Sequence, residues 1–246
     1  MARTAYFDAP LPRVLAHRGL SQHRSDIDEN SLEAFQEAIS HGASHIESDV
    51  HATKDGIAVL FHDEDLRRVA GIDKKISAVS FEELSAISLL NGTRIPSLAQ
   101  GLQLGVRLNL DIKSSAAIEP TVREIEAFQA HERVLVSSFS SARRRKALSM
   151  LSRPVATSAS MREVIMAWAS HSLGGVGFGS IVRDLDAFQI PPSQGPIRFA
   201  TEGFISRAKR HGVEVHFWTV NDPEHMRQLI ALGADGIVSD RVDLFS

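Results

Sequence analysis

The chain has no cysteine among its 246 residues, which excludes disulfides, thiolate nucleophiles and zinc–thiolate centres. Any metal ion must be held by oxygen or imidazole. A basic excess is also missing: 27 lysines and arginines face 30 acidic residues, a net charge of −3, so nucleic acid is not an expected partner. No apolar run approaches the ~20 residues of a membrane span. Met1 to Pro10 is mixed, with Asp8 and one arginine, and carries no targeting pattern; the expected address is the cytoplasm. Internal repeats, low-complexity tracts and linker-like stretches are absent, so residues 1–246 are expected to form one domain. At 43% hydrophobic residues, the chain can bury a sizeable core.

What is present is an alternation of short apolar runs with amphipathic helical patterns, the signature of parallel βα units. Eight runs read as strands: Val14 to His17, His45 to Val50, Val106 to Asp111, Val134 to Ser138, Pro154 to Thr157, Ala187 to Ile190, Val213 to Thr219 and Gly236 to Ser239. Eight parallel strands suggest a closed α/β barrel of the TIM (β/α)8 type. The helices carry readable ends. Asn30, with Glu33 three residues on, reads as the start of a helix that faces Leu32, Phe35 and Ile39 one way and stops at Gly42. Thr201 opens a second helix with Phe204, Ile205 and Ala208 on its apolar face, and Asp222-Pro223 opens a third with Met226, Leu229 and Ile230 buried. From His51 to Pro96 the alternation breaks. The turn Lys54-Asp55-Gly56, an extra strand ending at His62 and a helix start at Ser80 with Glu83 mark a small insertion between barrel strands two and three.

Polar clusters end several of the apolar runs: His17-Arg18-Gly19, Glu29-Asn30, Glu47-Ser48-Asp49 and His62-Asp63. Strand ends are where an α/β fold presents reactive groups. Side chains alternate along a strand, so Glu47 and Asp49 share a face and make half of a divalent-metal site. Asp111 is the best-placed third oxygen ligand, with Lys113 two residues on. His51 is a further candidate ligand, suited to a softer transition metal. A metal beside Lys113 and Arg18 would neutralise a phosphodiester and its more highly charged transition state. The imidazoles of His17 and His62 supply the proton transfers, one accepting from an attacking hydroxyl and the other protonating the departing alkoxide. Arg18 and Asp63 are their expected polar neighbours. Asn30 reads only as a cap, and Arg143-Arg144-Arg145-Lys146 as a solvated helix face. The glycines at 174, 175, 177 and 179 follow a helix pattern rather than a strand and do not make a dinucleotide loop.

Taken with Thr53-Lys54-Asp55-Gly56, Ile95-Pro96-Ser97-Leu98, Trp218-Thr219-Val220-Asn221 and Gly233-Ala234-Asp235-Gly236-Ile237-Val238-Ser239-Asp240, these motifs closely resemble the glycerophosphodiester phosphodiesterase family along nearly the whole chain. The resemblance implies a TIM barrel with an insertion after its second strand. It also implies hydrolysis of glycerophosphodiesters to glycerol 3-phosphate and an alcohol, with a divalent cation, Mg²⁺ or Ca²⁺. By position, His17 and His62 would be the acid/base pair, and Glu47 and Asp49 metal ligands. Arg18 and Lys113 would face the phosphate, Glu29 would orient the basic groups or contact glycerol, and Trp218 would pack beside the glycerol. The implied mechanism runs through attack of the glycerol 2-hydroxyl on phosphorus and a cyclic phosphate opened by water. One departure stands out: the family's third ligand is a glutamate in a Glu-x-Lys pattern, and here the pattern is Asp111-Ile112-Lys113.

Three other readings compete. A lysophospholipase D on the same barrel would need an apolar face near the mouth. A non-catalytic barrel would bind phosphodiesters without cutting them, Asp111 being one methylene short. A phosphosugar isomerase would use Gly233 to Gly236 as a phosphate loop but leaves His17, His62, Glu47 and Asp49 without a role. The leaving alcohol and the oligomeric state are not written in the sequence.

Overall fold

The computed structural model describes residues 4–245; the first three residues of the Met1 to Pro10 stretch and Ser246 lie outside them. Eight parallel strands follow one another around a barrel: β1 (Arg13–His17), β2 (His45–Ala52), β4 (Arg107–Ile112), β5 (Val134–Ser137), β6 (Ala156–Thr157), β7 (Ala187–Ile190), β10 (Glu214–Phe217) and β11 (Gly236–Ser239). Their neighbours run β6-β5-β4-β2-β1-β11-β10-β7. The gap between β6 and β7 is bridged at Ser158 and Ala187, with Ala159 N–H donating to the Ala187 carbonyl at 2.9 Å. The expected TIM barrel is therefore the fold. Strands at Pro154 to Thr157 and Val213 to Thr219 are shorter than read: Pro154 cannot donate to a ladder, and the second ends at Phe217, with Trp218 N–H making a last bond to the Ile190 carbonyl at 3.1 Å.

Between β2 and β4 lies the expected insertion. The turn at Lys54 to Gly56 closes with Gly56 at φ +76, and β3 (Ala58–Leu60) folds back antiparallel on β2, pairing Val50 with Leu60. A short helix α2 (Arg67–Ala70) and α3 (Phe81–Ala86) follow, the latter opened by the Ser80–Glu83 capping box. Val59, Phe61, Leu66, Ile76 and Leu84 give this segment a small core of its own. Val59 also bridges to Ser97, before α4 (Leu98–Gln103).

Helices α5 (Ile118–Ala127), α6 (Ser141–Met150), α7 (Met161–Ser172), α8 (Phe178–Val182), α9 (Glu202–Arg210) and α10 (Pro223–Ala231) cover the barrel, with a small hairpin, β8 (Ser193–Gln194) and β9 (Ile197–Arg198), after β7. Thr201 and Asp222 cap α9 and α10 as read, accepting from Phe204 and His225 N–H. Helix α1 (Leu32–Ser40) differs: Ser31, not Asn30, is its cap, accepting from Ala34 N–H at 3.1 Å. Its buried stripe is Ala34, Phe35 and Ala38, while Ile39 is 39% exposed. The basic run on α6 is not simply solvated. Arg144 is buried, paired with Glu163 at 3.0 Å and bonded to Ser160 and Thr157, and Arg143 donates to the Ile112 carbonyl. The glycines after α7 serve helix termination, Gly175 N–H donating to the Ser170 carbonyl at 2.7 Å.

Candidate active site

The C-terminal ends of the strands open on a cavity of about 310 Å³, lined on one side by His17, Arg18, Glu47, Asp49, His62, Asn109, Asp111 and Lys113. Parallel register places these groups. His17 lies opposite Glu47, Glu47 opposite Asn109, and Asp49 opposite Asp111, so three neighbouring strands send polar side chains to the same mouth. His62 arrives from the insertion: Phe61 N–H donates to the Asp49 carbonyl at 2.9 Å, which brings the chain leaving β3 back alongside Asp49. His51 is not in the cavity lining; its Nε2–H donates to the His62 carbonyl at 3.1 Å, and burial lowers its pKa.

The turn after β1 is built around backbone conformations that most residues avoid. Arg18 and Asn30 have φ of +57 and +58, linked by Asn30 N–H donating to the Arg18 carbonyl at 2.8 Å. Gly19, at φ +83, packs on α1 so closely that a Cβ would sit 2.7 Å from the Ala34 carbonyl carbon; only glycine meets both demands. Arg18 thereby reaches Glu29 at 3.0 Å and Asp49 at 3.4 Å.

Each histidine has one ring nitrogen tied to a carboxylate. His17 Nδ1–H donates to Asp240 at 2.7 Å, and His62 Nδ1–H donates to Asp63 at 2.7 Å. The expected pairing of His62 with Asp63 is present, whereas the partner of His17 is Asp240 rather than Arg18. Burial alone would lower the His17 pKa, but the Asp240 hydrogen bond and the Glu47 charge outweigh it and the net direction is upward. Both arrangements leave Nε2 for the cavity; that of His17 stands 4.0 Å from Glu47.

Burial, and then the charge of Asp49, pushes the Glu47 carboxyl up to about 7, and burial raises Asp111 as well. Lys113 spans the acidic pair, its Nζ 2.7 Å from both Asp49 and Asp111. Although burial opposes its charge, these two carboxylates raise its pKa. The oxygens of Glu47, Asp49 and Asp111 do not gather within 4.8 Å of one another in this arrangement. Glu47 Oε2, Asn109 Oδ1 and Asp111 Oδ1 are nevertheless buried without a hydrogen-bond donor. Three orphaned acceptors in one cavity are costly unless a cation meets them.

Several residues of this site escaped the sequence reading. Asn30 is buried, accepts from Ser48 Oγ at 2.7 Å and reaches Asp49 at 3.4 Å. Asn221 fixes Asp240 at 2.8 Å. Arg68 joins Glu29 at 2.5 Å to Asp63 at 2.7 Å. The opposite wall is apolar: Phe139, Met161, Val164, Phe199 and Trp218 line it, with Trp218 edge-on to Phe139 at 6.3 Å.

A parallel (β/α)8 barrel whose mouth joins two carboxylate-tethered imidazoles to an arginine, a lysine and buried acids defines a phosphoryl-ester hydrolase. Residues 17–244 match the model of the glycerophosphoryl diester phosphodiesterase family. The chain belongs to that family, and hydrolysis of glycerophosphodiesters is its activity. It is 38% identical over 234 residues to the Mycobacterium tuberculosis protein named “Probable glycerophosphodiester phosphodiesterase 2”, covering 94% of this chain and 88% of the relative. Among solved structures, a Thermotoga maritima glycerophosphodiester phosphodiesterase superposes with a TM-score of 0.74 at 28% identity, covering 96% and 97% of the two chains. An Oleispira antarctica phosphodiesterase solved with its product sn-glycerol-3-phosphate superposes with a TM-score of 0.76 at 26% identity, covering 98% and 97%. No helix among the described residues is long and apolar enough to cross a membrane.

Proposed function

We propose that the cavity takes a glycerophosphodiester with its phosphate between Arg18 and Lys113, and that His17 and His62 are its proton-transfer pair. The observation that carries this reading is the matched tethering of the two imidazoles, each with Nδ1 on a carboxylate and Nε2 left for the cavity. The glycerol 2-hydroxyl gives its proton to one imidazole as its oxygen bonds to phosphorus, and the other imidazole gives a proton to the departing alcohol as the phosphorus–oxygen bond breaks. The cyclic phosphate is then opened by water with the two roles reversed, leaving glycerol 3-phosphate, the compound bound in the Oleispira relative. Glu29, held by Arg18 and Arg68, orients the basic groups, and Trp218 packs beside the glycerol.

The orphaned oxygens of Glu47 and Asp111 support a hard divalent cation, Mg²⁺ or Ca²⁺, held by Glu47, Asp49 and Asp111. When bound, it supplies charge neutralisation at the phosphate. Lys113 then exchanges its carboxylate contacts for the substrate, the short Asp111 reaching less far than a glutamate would.

The apolar wall supports a second reading, lysophospholipase D: Phe139 is 55% and Met161 37% exposed where an acyl chain would leave the mouth. Glycerophosphocholine, glycerophosphoethanolamine and micellar lysophosphatidylcholine, offered side by side with Mg²⁺ or Ca²⁺, separate the two. Release of glycerol 3-phosphate from the soluble diesters is the expected result. Activity confined to the micelles would replace the first reading with the second.

A further inference from the structure

Outside the barrel cavity, a second group of side chains has the composition of a metal site. Glu37 on α1 and His41, the residue that caps its C-terminus, are four positions apart and lie on the same outer side of the helix end. The loop from Arg18 to Ser31 lays His23 against them. His23 Nε2 is 3.1 Å and His41 Nδ1 3.7 Å from the same Glu37 oxygen, Oε1. The two imidazole rings meet edge-on at 5.3 Å. One ligand atom from each residue can be chosen so that all three lie within 4.8 Å of one another. Tetrahedral zinc, with bonds of ~2.0–2.1 Å, spaces its donors about 3.3 Å apart; the 3.1 and 3.7 Å separations bracket that value.

The donor set also discriminates. Two imidazoles and one carboxylate suit a borderline transition ion such as Zn²⁺, whereas the all-oxygen set of the barrel suits Mg²⁺ or Ca²⁺. Nothing nearby forbids an ion. Arg24 lies 3.6 Å from Glu37 but is held more closely by Asp26 at 2.7 Å, so it can leave Glu37. His41 Nδ1 now meets the Glu37 carbonyl at 2.9 Å; its exposed ring turns off that carbonyl and carries its proton on Nε2 when Nδ1 ligates. His23 is exposed and Glu37 half-buried, which leaves room for water as the fourth ligand.

We propose that His23, Glu37 and His41 form a transition-metal site separate from the barrel cavity, and that an ion there clasps the β1–α1 loop to α1. The loop is one that matters: it begins at Arg18 and ends with Glu29 and Asn30, all three in the barrel site. None of the three proposed ligands lines the cavity, so the site stands whether or not the catalytic reading does.

The test is calorimetric titration of the full chain with Zn²⁺ in excess Mg²⁺, for wild type, His23→Ala, Glu37→Gln and His41→Ala. The expected result is one equivalent of Zn²⁺ bound by wild type beyond what each variant binds, with a Zn²⁺-dependent rise in unfolding temperature that the variants lose. The same stoichiometry and the same thermal response in all four would overturn the proposal. Zinc-edge anomalous scattering from wild-type crystals grown with Zn²⁺ needs no variant: a peak among the three side chains supports the site, and its absence contradicts it.

Discussion

His17 and His62 are each committed at one nitrogen and available at the other, and this division makes an imidazole useful for proton transfer. Replacing either with alanine is expected to lower turnover by ~10²–10⁴-fold, with the circular dichroism spectrum and unfolding midpoint near wild type because both rings sit at the cavity edge. Near-normal turnover in either variant would remove that residue from the pair. Asp240 acts through His17. Its hydrogen bond helps hold the His17 pKa above its ordinary value against burial, so Asp240→Asn is expected to move the His17 titration, followed by NMR, to lower pH. The sign for stability follows. A raised histidine pKa stabilises the fold fully below about 6.5, the unfolded value, and that contribution fades as pH rises through the folded value; Asp240→Asn should flatten this slope. That His17, His62, Glu47 and Asp49 share one cavity was legible because each is a chemically specific side chain in or beside a short apolar run. Asp240 was not, since its partner is 223 positions away and an acid after a strand has many uses. Asn30 and Asn109 were hidden in another way: their value lies in burial without a donor or beside an acid, which composition does not reveal.

Among the elements, α6 departs furthest from its sequence. Four consecutive basic residues read as a solvated face, yet the helix turns Arg144 inward onto Glu163, Ser160 and Thr157. A buried ion pair of this kind costs heavily when one partner is removed. Arg144→Ala is expected to destabilise the chain by about 3 kcal/mol in urea unfolding, whereas Arg145→Ala, on the exposed side, should stay within about 0.5 kcal/mol. Similar losses from both would show that Arg144 is not a buried anchor. The caps at Ser80, Thr201 and Asp222 were legible because a short polar side chain before an apolar period has a local purpose. Helix α1 shows the limit of such reading. Asn30 and Ser31 are both good caps, and the choice was settled by the tertiary need to send Asn30 into the site at φ +58. That shift also moved the buried stripe to Ala34, Phe35 and Ala38, leaving Ile39 outside.

At the scale of the whole molecule, the barrel followed from eight apolar runs in βα alternation, and the insertion from the point where that alternation failed. The hairpin of β8 and β9 had no such signal: its strands are two residues each and largely exposed. The barrel also collects acids that do not sit together comfortably. Without a cation, Glu47 keeps its proton up to about 7 against an ordinary value of 4.5. The folded chain therefore binds a proton that the unfolded chain has lost, and metal-free stability falls as pH rises between those values. A cation needs the ionised carboxylate. Saturating Mg²⁺ or Ca²⁺ is thus expected to raise the unfolding temperature more at pH 8 than at pH 6, and equal rises at both would contradict a role for Glu47 as ligand.

The most direct test of the whole account is release of glycerol 3-phosphate from glycerophosphocholine by the purified chain, first in EDTA and then with Mg²⁺ or Ca²⁺ restored. The account predicts little product in EDTA, recovery with the ion, and no recovery in His17→Ala or His62→Ala. Full activity in EDTA would contradict the cation at Glu47, Asp49 and Asp111, and silence under every condition would contradict the phosphodiesterase site itself.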